Sequence, residues 1–208
     1  MNVTFRAARE SDAPALATLV SMAAQAHYSA SGYELTLGGL PDHQRAQIAC
    51  LAMAPSPSWF HHSHFLIAEA GGNVIACAAG FERHEADSHI PAALAEIGWT
   101  PEAIDALGQK LLAMFDGFPE EPTGYWTIDH VATLPDFRRQ GIAARLIHRI
   151  LAKGRAAGFS HAKLEVFRGN PAIQLYESLG FRITDTYGEA QLRRWLDRDP
   201  LRRMTISL

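Results

Sequence analysis

The sequence predicts an α/β fold in a single domain, and three observations carry that expectation. Strand-like and helix-like segments alternate along the chain. An extended stretch at residues 125–134 runs through a tight glycine turn into an amphipathic helix. A hairpin signal, Gly71-Gly72-Asn73, joins two further strands. At 208 residues the chain has the length of one domain, enough to bury a sizeable core, and no interdomain linker is visible.

Taken in order, a strand is expected at residues 3–8, then a helix over about 12–26 with Leu16, Leu19, Val20 and Ala23 on one face. A second helix covers 41–53. Segments 65–70 and 74–83 flank the glycine pair, which supplies the positive φ a hairpin turn needs. A helical insertion of about forty residues follows, 84–123, long for a strand connection. Within it Thr100 as N-cap and Pro101 at the first helical position start a helix whose Ile104, Leu107, Leu111 and Phe115 share a face. A Pro/Gly-rich stretch, 116–124, returns to the sheet. The insertion either shapes an acceptor pocket or only packs on the sheet.

After the 125–134 strand, Ile142, Leu146, Ile147, Ile150 and Leu151 line one side of a helix, with Arg145, His148, Arg149 and Lys153 opposite, and Gly158 ends it. Residues 161–167 read as a strand. A short helix then runs from Asn170 as N-cap, through Pro171, to Gly180 as a left-handed C-terminal glycine with Phe181 behind it.

The chemistry sits at Arg138-Arg139-Gln140-Gly141-Ile142-Ala143. The first amides of a helix have no partner in the helix, and the macrodipole adds partial positive charge, so an anion is favoured there. Gly141 and Ala143 let a bulky pyrophosphate approach the main chain, and Arg138 and Arg139 add charge-assisted donors. Alone, the run reads rather as an ordinary helix start with solvated arginines, and its context must decide.

Together with residues 164–181, however, residues 131–143 resemble the GNAT superfamily of acetyl-CoA-dependent N-acetyltransferases, with its Q/R-x-x-G-x-G/A turn and its later Asn, Leu-Tyr and Gly-Phe run. The matched core spans 125–182, and Phe5-Arg6-Ala7-Ala8 with Asp12 is similar to the family's usual opening. The resemblance implies a mixed, largely antiparallel central sheet flanked by helices. It implies acetyl-CoA bound in a cleft between the strands at 125–134 and 161–167, and direct acetyl transfer to a primary amine of a small molecule, amino acid or peptide through a ternary complex. The cofactor contacts it implies are Val131, Ala132 and Thr133 through their main chain, where the strand splays from its parallel neighbour, then Arg138, Arg139, Gln140, Gly141, Ile142 and Ala143 at the turn, and Asn170. The family's asparagine lies seven residues before its tyrosine, whereas Asn170 lies six before Tyr176, leaving it either a cofactor contact or only a helix cap.

Transfer to an amine needs removal of a proton from an ammonium of pKa about 10.4 and delivery of one to the departing thiolate. The resemblance makes Tyr176 the donor, although it also lies on an apolar stripe with Ala172, Leu175 and Leu179, where a tyrosine is usually core. Glu165 and Asp129 are the candidate bases, or else surface salt-bridge partners; His130 and Glu82 are held in reserve, and a water chain is open.

Composition sets bounds. A net charge of −3 with dispersed arginines gives no nucleic-acid footprint. The Arg-rich tail, 191–203, interrupted by Asp197 and Asp199, is expected to be solvated surface. Two cysteines without paired spacing suit a reducing cytoplasm, and neither a signal pattern nor a membrane-length apolar run is seen. A cytoplasmic protein is expected, with no metal, nucleic-acid or membrane partner and a homodimer plausible from the family. His61-His62-Ser63-His64 lacks companions at a zinc spacing, and Cys77 lacks an activating neighbour. The alternatives to an enzyme are a catalytically silent acyl-CoA-binding regulatory domain and an interaction module using the basic tail.

Overall fold

The computed structural model describes residues 2–208. The chain opens with β1 (Val3–Ala7), α1 (Ala13–Gln25), α2 (Tyr33–Thr36) and α3 (Pro41–Met53), then the hairpin β2 (Phe65–Ala70) and β3 (Asn73–Glu82). The insertion carries α4 (Arg83–Ser88), α5 (Ile90–Glu96) and α6 (Pro101–Met114). The expected strand and helix follow as β4 (Tyr125–Thr133) and α7 (Ile142–Ala156), then β5 (His161–Phe167) and α8 (Ala172–Ser178). The chain closes with β6 (Arg182–Tyr187), α9 (Glu189–Leu196) and β7 (Leu201–Ser207).

Among the described residues, seven strands form one sheet in the order β1-β2-β3-β4-β5-β7-β6. Every neighbouring pair is antiparallel except β4 and β5. The expected mixed, largely antiparallel sheet is therefore present. α7 packs on β2, β3 and β4, while α1 covers β3 and β4 from the other side and carries α3 on its back. Two cores result. Leu146, Ile147 and Ile150 of α7 fill one with Ile75, Ala78 and Ile128; Leu16, Leu19 and Val20 of α1 fill the other with Phe65, Ile67 and Phe81. Burial of about 25 cal/mol per Å² of apolar surface on both faces is what holds the sheet.

Local signals place the helices. Thr100 Oγ1 accepts from Ala103 N, as an N-cap should. The short helix α8 begins one residue later than expected: Pro171 holds the N-cap position, and Asn170 Oδ1 accepts from Ala172 N at 2.9 Å. Gly180 is left-handed (φ 96°), and Phe181 N turns back to Tyr176 O at 3.0 Å.

The tail needs correction. Residues 191–203 are not simply solvated surface, because β7 lies inside the sheet between β5 and β6. Arg203 is only 8% exposed and Arg198 only 5%. Arg203 pairs with Glu165 across the β5–β7 ladder, where the two residues are in register. An inserted strand buries both of its faces, so alternation of polar and apolar residues fails there.

Candidate active site

β4 and β5 pair only at Tyr125↔His161, Trp126↔Ala162 and Thr127↔Lys163. Beyond Thr127 they part, and the β5-facing edge of β4 carries no strand partner. A strand edge with free N–H and C=O groups can take an extended polar chain as an added strand. The gap opens into a cleft of about 1220 Å³ that reaches from the α7 N-terminus to the insertion.

Two backbone departures shape the gap. The β3–β4 register shifts between Cys77 and Ala79, leaving His130 and Val131 of β4 opposite Ala78 alone. His130 takes φ 49°, a left-handed conformation that costs about 1–2 kcal/mol for a residue with a Cβ. A bulge of this kind puts consecutive side chains on the same side. Asp129 and His130 accordingly both line the cleft, with His130 Nδ1 3.7 Å from Asp129 Oδ1.

At the α7 end, Arg139 (φ 59°) and Gly141 (φ 73°) both turn left-handed before the helix starts. Arg145 N, bonded to Gly141 O at 3.1 Å, closes the first turn, so the amides ahead of it point out of the helix. A Cβ built at Gly141 would meet nothing within 4 Å, which leaves the main chain open to a bulky anion. Arg138 Nε donates to Thr133 O at 3.0 Å and ties the turn to the end of β4.

Apart from Gln140 and the reserve base Glu82, whose carboxylate instead caps α4 by accepting from His84 N and Glu85 N, every residue expected in the site lines this cleft. Gln140 instead donates its side-chain amide to Asp136 O at 3.2 Å. Tyr176 is 8% exposed and packs with Phe181 at 6.2 Å between ring centres, so it is both core and cleft wall. Burial, and secondarily the charge of Asp129, push its phenol well above the ordinary value. Asn170 also lines the cleft while its side-chain oxygen is committed to Ala172 N.

The two candidate bases sit in different surroundings. Glu165 accepts from Arg203 Nη2 at 3.2 Å and from the Tyr187 hydroxyl, and lies 3.9 Å from Lys163 Nζ. Asp129 Oδ1 accepts from the neighbouring His130 N at 2.7 Å, and Oδ2 is 3.9 Å from Arg83 Nη1. Between them is a polar cavity of about 20 Å³ bounded by Thr127, Asp129, Lys163 and Glu165, and the buried Thr127 Oγ1 has no protein partner. That volume admits one water.

Sequence reasoning missed Tyr187 and Arg203, which join the site from β6 and β7, and Tyr33, Trp59 and Arg83, which wall it from α2, the segment before β2, and α4. Trp59 was findable as a large aromatic in a polar segment; the others sit in helices and strands whose local patterns are weak. Cys77 is buried, its thiol pushed up to about 12 by desolvation, which removes it as a nucleophile at neutral pH. Among the described residues no group of three or more His, Cys, Asp or Glu side chains is arranged to hold a metal ion, and no helix is long and apolar enough to cross a membrane.

A strand-edge gap, a turn of outward amides and a buried tyrosine share one cleft, as the resemblance to an acetyltransferase fold implies. Comparison with known proteins agrees: the family model described as "Acetyltransferase (GNAT) family" matches residues 42–181, and the chain belongs to that family. Probable N-acetyltransferase family 8 member 5 of Mus musculus is 27% identical over 136 residues, which are 65% of this chain. The match spans 45% of that relative's length. Among solved structures, an N-acetyltransferase from Staphylococcus aureus Mu50 aligns with a TM-score of 0.72 at 19% identity, covering 98% of this chain and 100% of the other. The Salmonella typhimurium protein yncA, a putative acetyltransferase solved with its cofactor acetyl-CoA, aligns with a TM-score of 0.57 at 19% identity, over 100% of this chain and 95% of the other. At such identities the structures speak to the fold.

Proposed function

We infer that this protein is an acetyl-CoA-dependent N-acetyltransferase acting directly on a primary amine. The observation that carries the reading is the parting of β4 from β5 beyond Thr127, in one cleft with the outward amides of the Gly141 turn and the buried phenol of Tyr176. The residues fit the cofactor: the stretch Val131-Ala132-Thr133, on the edge that β5 leaves unpaired and with Thr133 O already taken by Arg138 Nε, suits the amide-bearing pantetheine arm, and the open face at Gly141 suits the pyrophosphate, flanked by Arg138 and Arg139. When bound, acetyl-CoA supplies an acetyl thioester, whose carbonyl carbon exchanges its bond to sulfur for one to the acceptor nitrogen.

The chain's own groups manage the protons. Tyr176 is protonated through the neutral range, as any phenol of pKa about 10 is and the more so for its burial, so it can donate to a leaving thiolate. Asp129, which shares the small polar cavity with Glu165, is the better-placed acceptor, since Glu165 already receives bonds from Arg203 and Tyr187. Backbone N–H groups on the free edge of β4 are donors for a carbonyl oxygen.

That commitment of Glu165 also favours a second reading, an acyl-CoA-binding domain that does not transfer. Tyr176→Phe separates them. As an enzyme, the variant should lose about 10²–10³-fold in kcat with acetyl-CoA affinity nearly unchanged, measured by thiol release and by titration. Turnover equal to wild type would remove Tyr176 from the chemistry, and no turnover in wild type with any amine, despite acetyl-CoA binding, would favour the silent domain.

A further inference from the structure

Past the strand gap the cleft runs beneath α2 and the insertion into an end with a different character. Its walls there are apolar or aromatic: Tyr33 and Leu37, Trp59, then Leu94, Leu107 and Leu111 from α5 and α6. Most of the charged groups around it are paired with one another. Arg83 Nε lies 2.9 Å from Asp87 and Arg83 Nη1 3.9 Å from Asp129; Lys163 pairs with Glu121, and Arg203 with Glu165 at 3.2 Å. The buried Arg198 guanidinium donates to Ala24 O and Ala30 O. Ala24 is in the last turn of α1, where the helix dipole favours a cation. Asp129, whose contact with Arg83 is the long one at 3.9 Å and which the transfer reading reserves as the base, is the one loosely held carboxylate at this end, and Arg198, without a carboxylate partner, has both terminal nitrogens on backbone carbonyls.

Besides Thr133 Oγ1 and Glu121 Oε1, the latter ion-paired with Lys163, three uncharged polar atoms of the cleft lining lack partners. Thr36 Oγ1, Trp59 Nε1 and His130 Nε2 are buried without a hydrogen bond, and all three residues line the cleft. Buried polar groups are almost always satisfied, so such a cluster on a cavity wall calls for a ligand or water that completes it. His130 is neutral, because burial lowers its pKa, and its ring stacks between Phe60 and Phe65, so it adds no charge.

We propose that the acceptor is a monoamine with an apolar, ring-sized body and at most a hydrogen-bonding substituent, without a carboxylate or a second positive charge. The proposal rests on the acetyl-transfer reading and assigns its substrate class. A polyamine or basic peptide would bring further ammonium groups into a wall whose acids, beyond the Asp129 that serves the reacting amine, are already paired, and an uncompensated charge in an apolar site is expensive. An amino acid would bring a carboxylate to a wall whose cations are already committed. A neutral body meets neither penalty, and apolar surroundings also lower the acceptor ammonium's pKa toward the form that attacks.

The test uses the full chain with saturating acetyl-CoA and follows thiol release. The panel is 2-phenylethylamine, phenylalanine, spermidine and a lysine-rich peptide, and phenylalanine differs from the first only by its carboxylate. The expected result is kcat/KM for 2-phenylethylamine at least about tenfold above each of the others. Equal or greater efficiency with spermidine, the peptide or phenylalanine overturns the proposal, as does no turnover of 2-phenylethylamine by protein that binds acetyl-CoA. Failure to bind acetyl-CoA at all, measured separately by thermal shift on the same preparation, contradicts the acetyl-transfer reading on which the proposal rests.

Discussion

Asp12 receives Arg6 Nη1 at 2.7 Å, Arg6 Nη2 at 3.0 Å and the Arg9 amide at 2.8 Å, and these bonds, that of Arg6 first, hold its carboxyl below the usual carboxylate value. Because the folded value lies below the unfolded one, near about 3.9, the pair stabilises fully above that pH and the contribution is lost as pH falls through the folded value. Asp12→Asn should therefore cost about 1–3 kcal/mol at neutral pH, with the gap between variant and wild type closing in acid, as read from urea midpoints at pH 7 and pH 3. An equal gap at both pH values would contradict the assignment. Thiol reactivity divides in the same way by surroundings: Cys50 is exposed, Cys77 buried with its thiol near 12, so a thiol reagent should titrate one group in the native protein and two in denaturant. At this scale the sequence was readable where the chemistry is local. Gly141, Gly180 and the capping amide of Asn170 answer to their own neighbours in the chain. The base was not readable, because what distinguishes Glu165 from Asp129 is Arg203, thirty-eight residues away and across a strand ladder.

At the level of elements, Trp126 locks α7 to the sheet. A Cβ at Gly154 would lie 2.7 Å from Trp126 Cγ, and one at Gly80 would meet Ile150 and the Trp126 indole. Helix propensity favours Ala over Gly by about 1 kcal/mol, whereas overpacking against a ring fixed on a strand costs about 1–3 kcal/mol. Packing should win: Gly154→Ala is expected to lower the thermal midpoint by a few degrees, and a rise would mean that the ring can yield. The elements legible in advance are those that carry their own start and stop signals, such as α3 with Pro41, α6 with Thr100 and Pro101, and the hairpin at Gly71-Gly72. Those missed are short or two-faced. The four residues of α2 and the charged run of α4 have no periodicity to read, and β7, with Arg203 and Met204 both buried, breaks the alternation a strand on a one-sided sheet would show. Their positions follow from tertiary contacts, including Phe118 against Tyr187 and Gln191 to Asp116 O, which pin the return loop of the insertion onto β6 and α9.

For the molecule as a whole, the sheet order leaves one parallel neighbour pair among the described residues, and that is where the sheet opens. β7, arriving last in the chain, holds the far side of β5 along its entire length, so β5 is braced on one edge while its other edge is free past Lys163. The gap is thus a fixed property of the fold rather than something a ligand must create, and binding should require little reorganisation. The family could be read from the run around Gly141 and the Leu175-Tyr176 pair; the apolar end of the cleft could not, because its walls come from α2, Trp59 and the insertion, brought together only by folding. The claim on which the rest depends is that this gap takes acetyl-CoA. The thermal midpoint of the purified protein, with and without acetyl-CoA at a hundredfold excess over Kd and with ADP as the nucleotide-only control, tests it most directly. Ligand at that excess adds about 2.7 kcal/mol, which in a domain of this length raises the midpoint by roughly 5–10 °C, and ADP should give a smaller rise. A midpoint unmoved by millimolar acetyl-CoA would contradict the account.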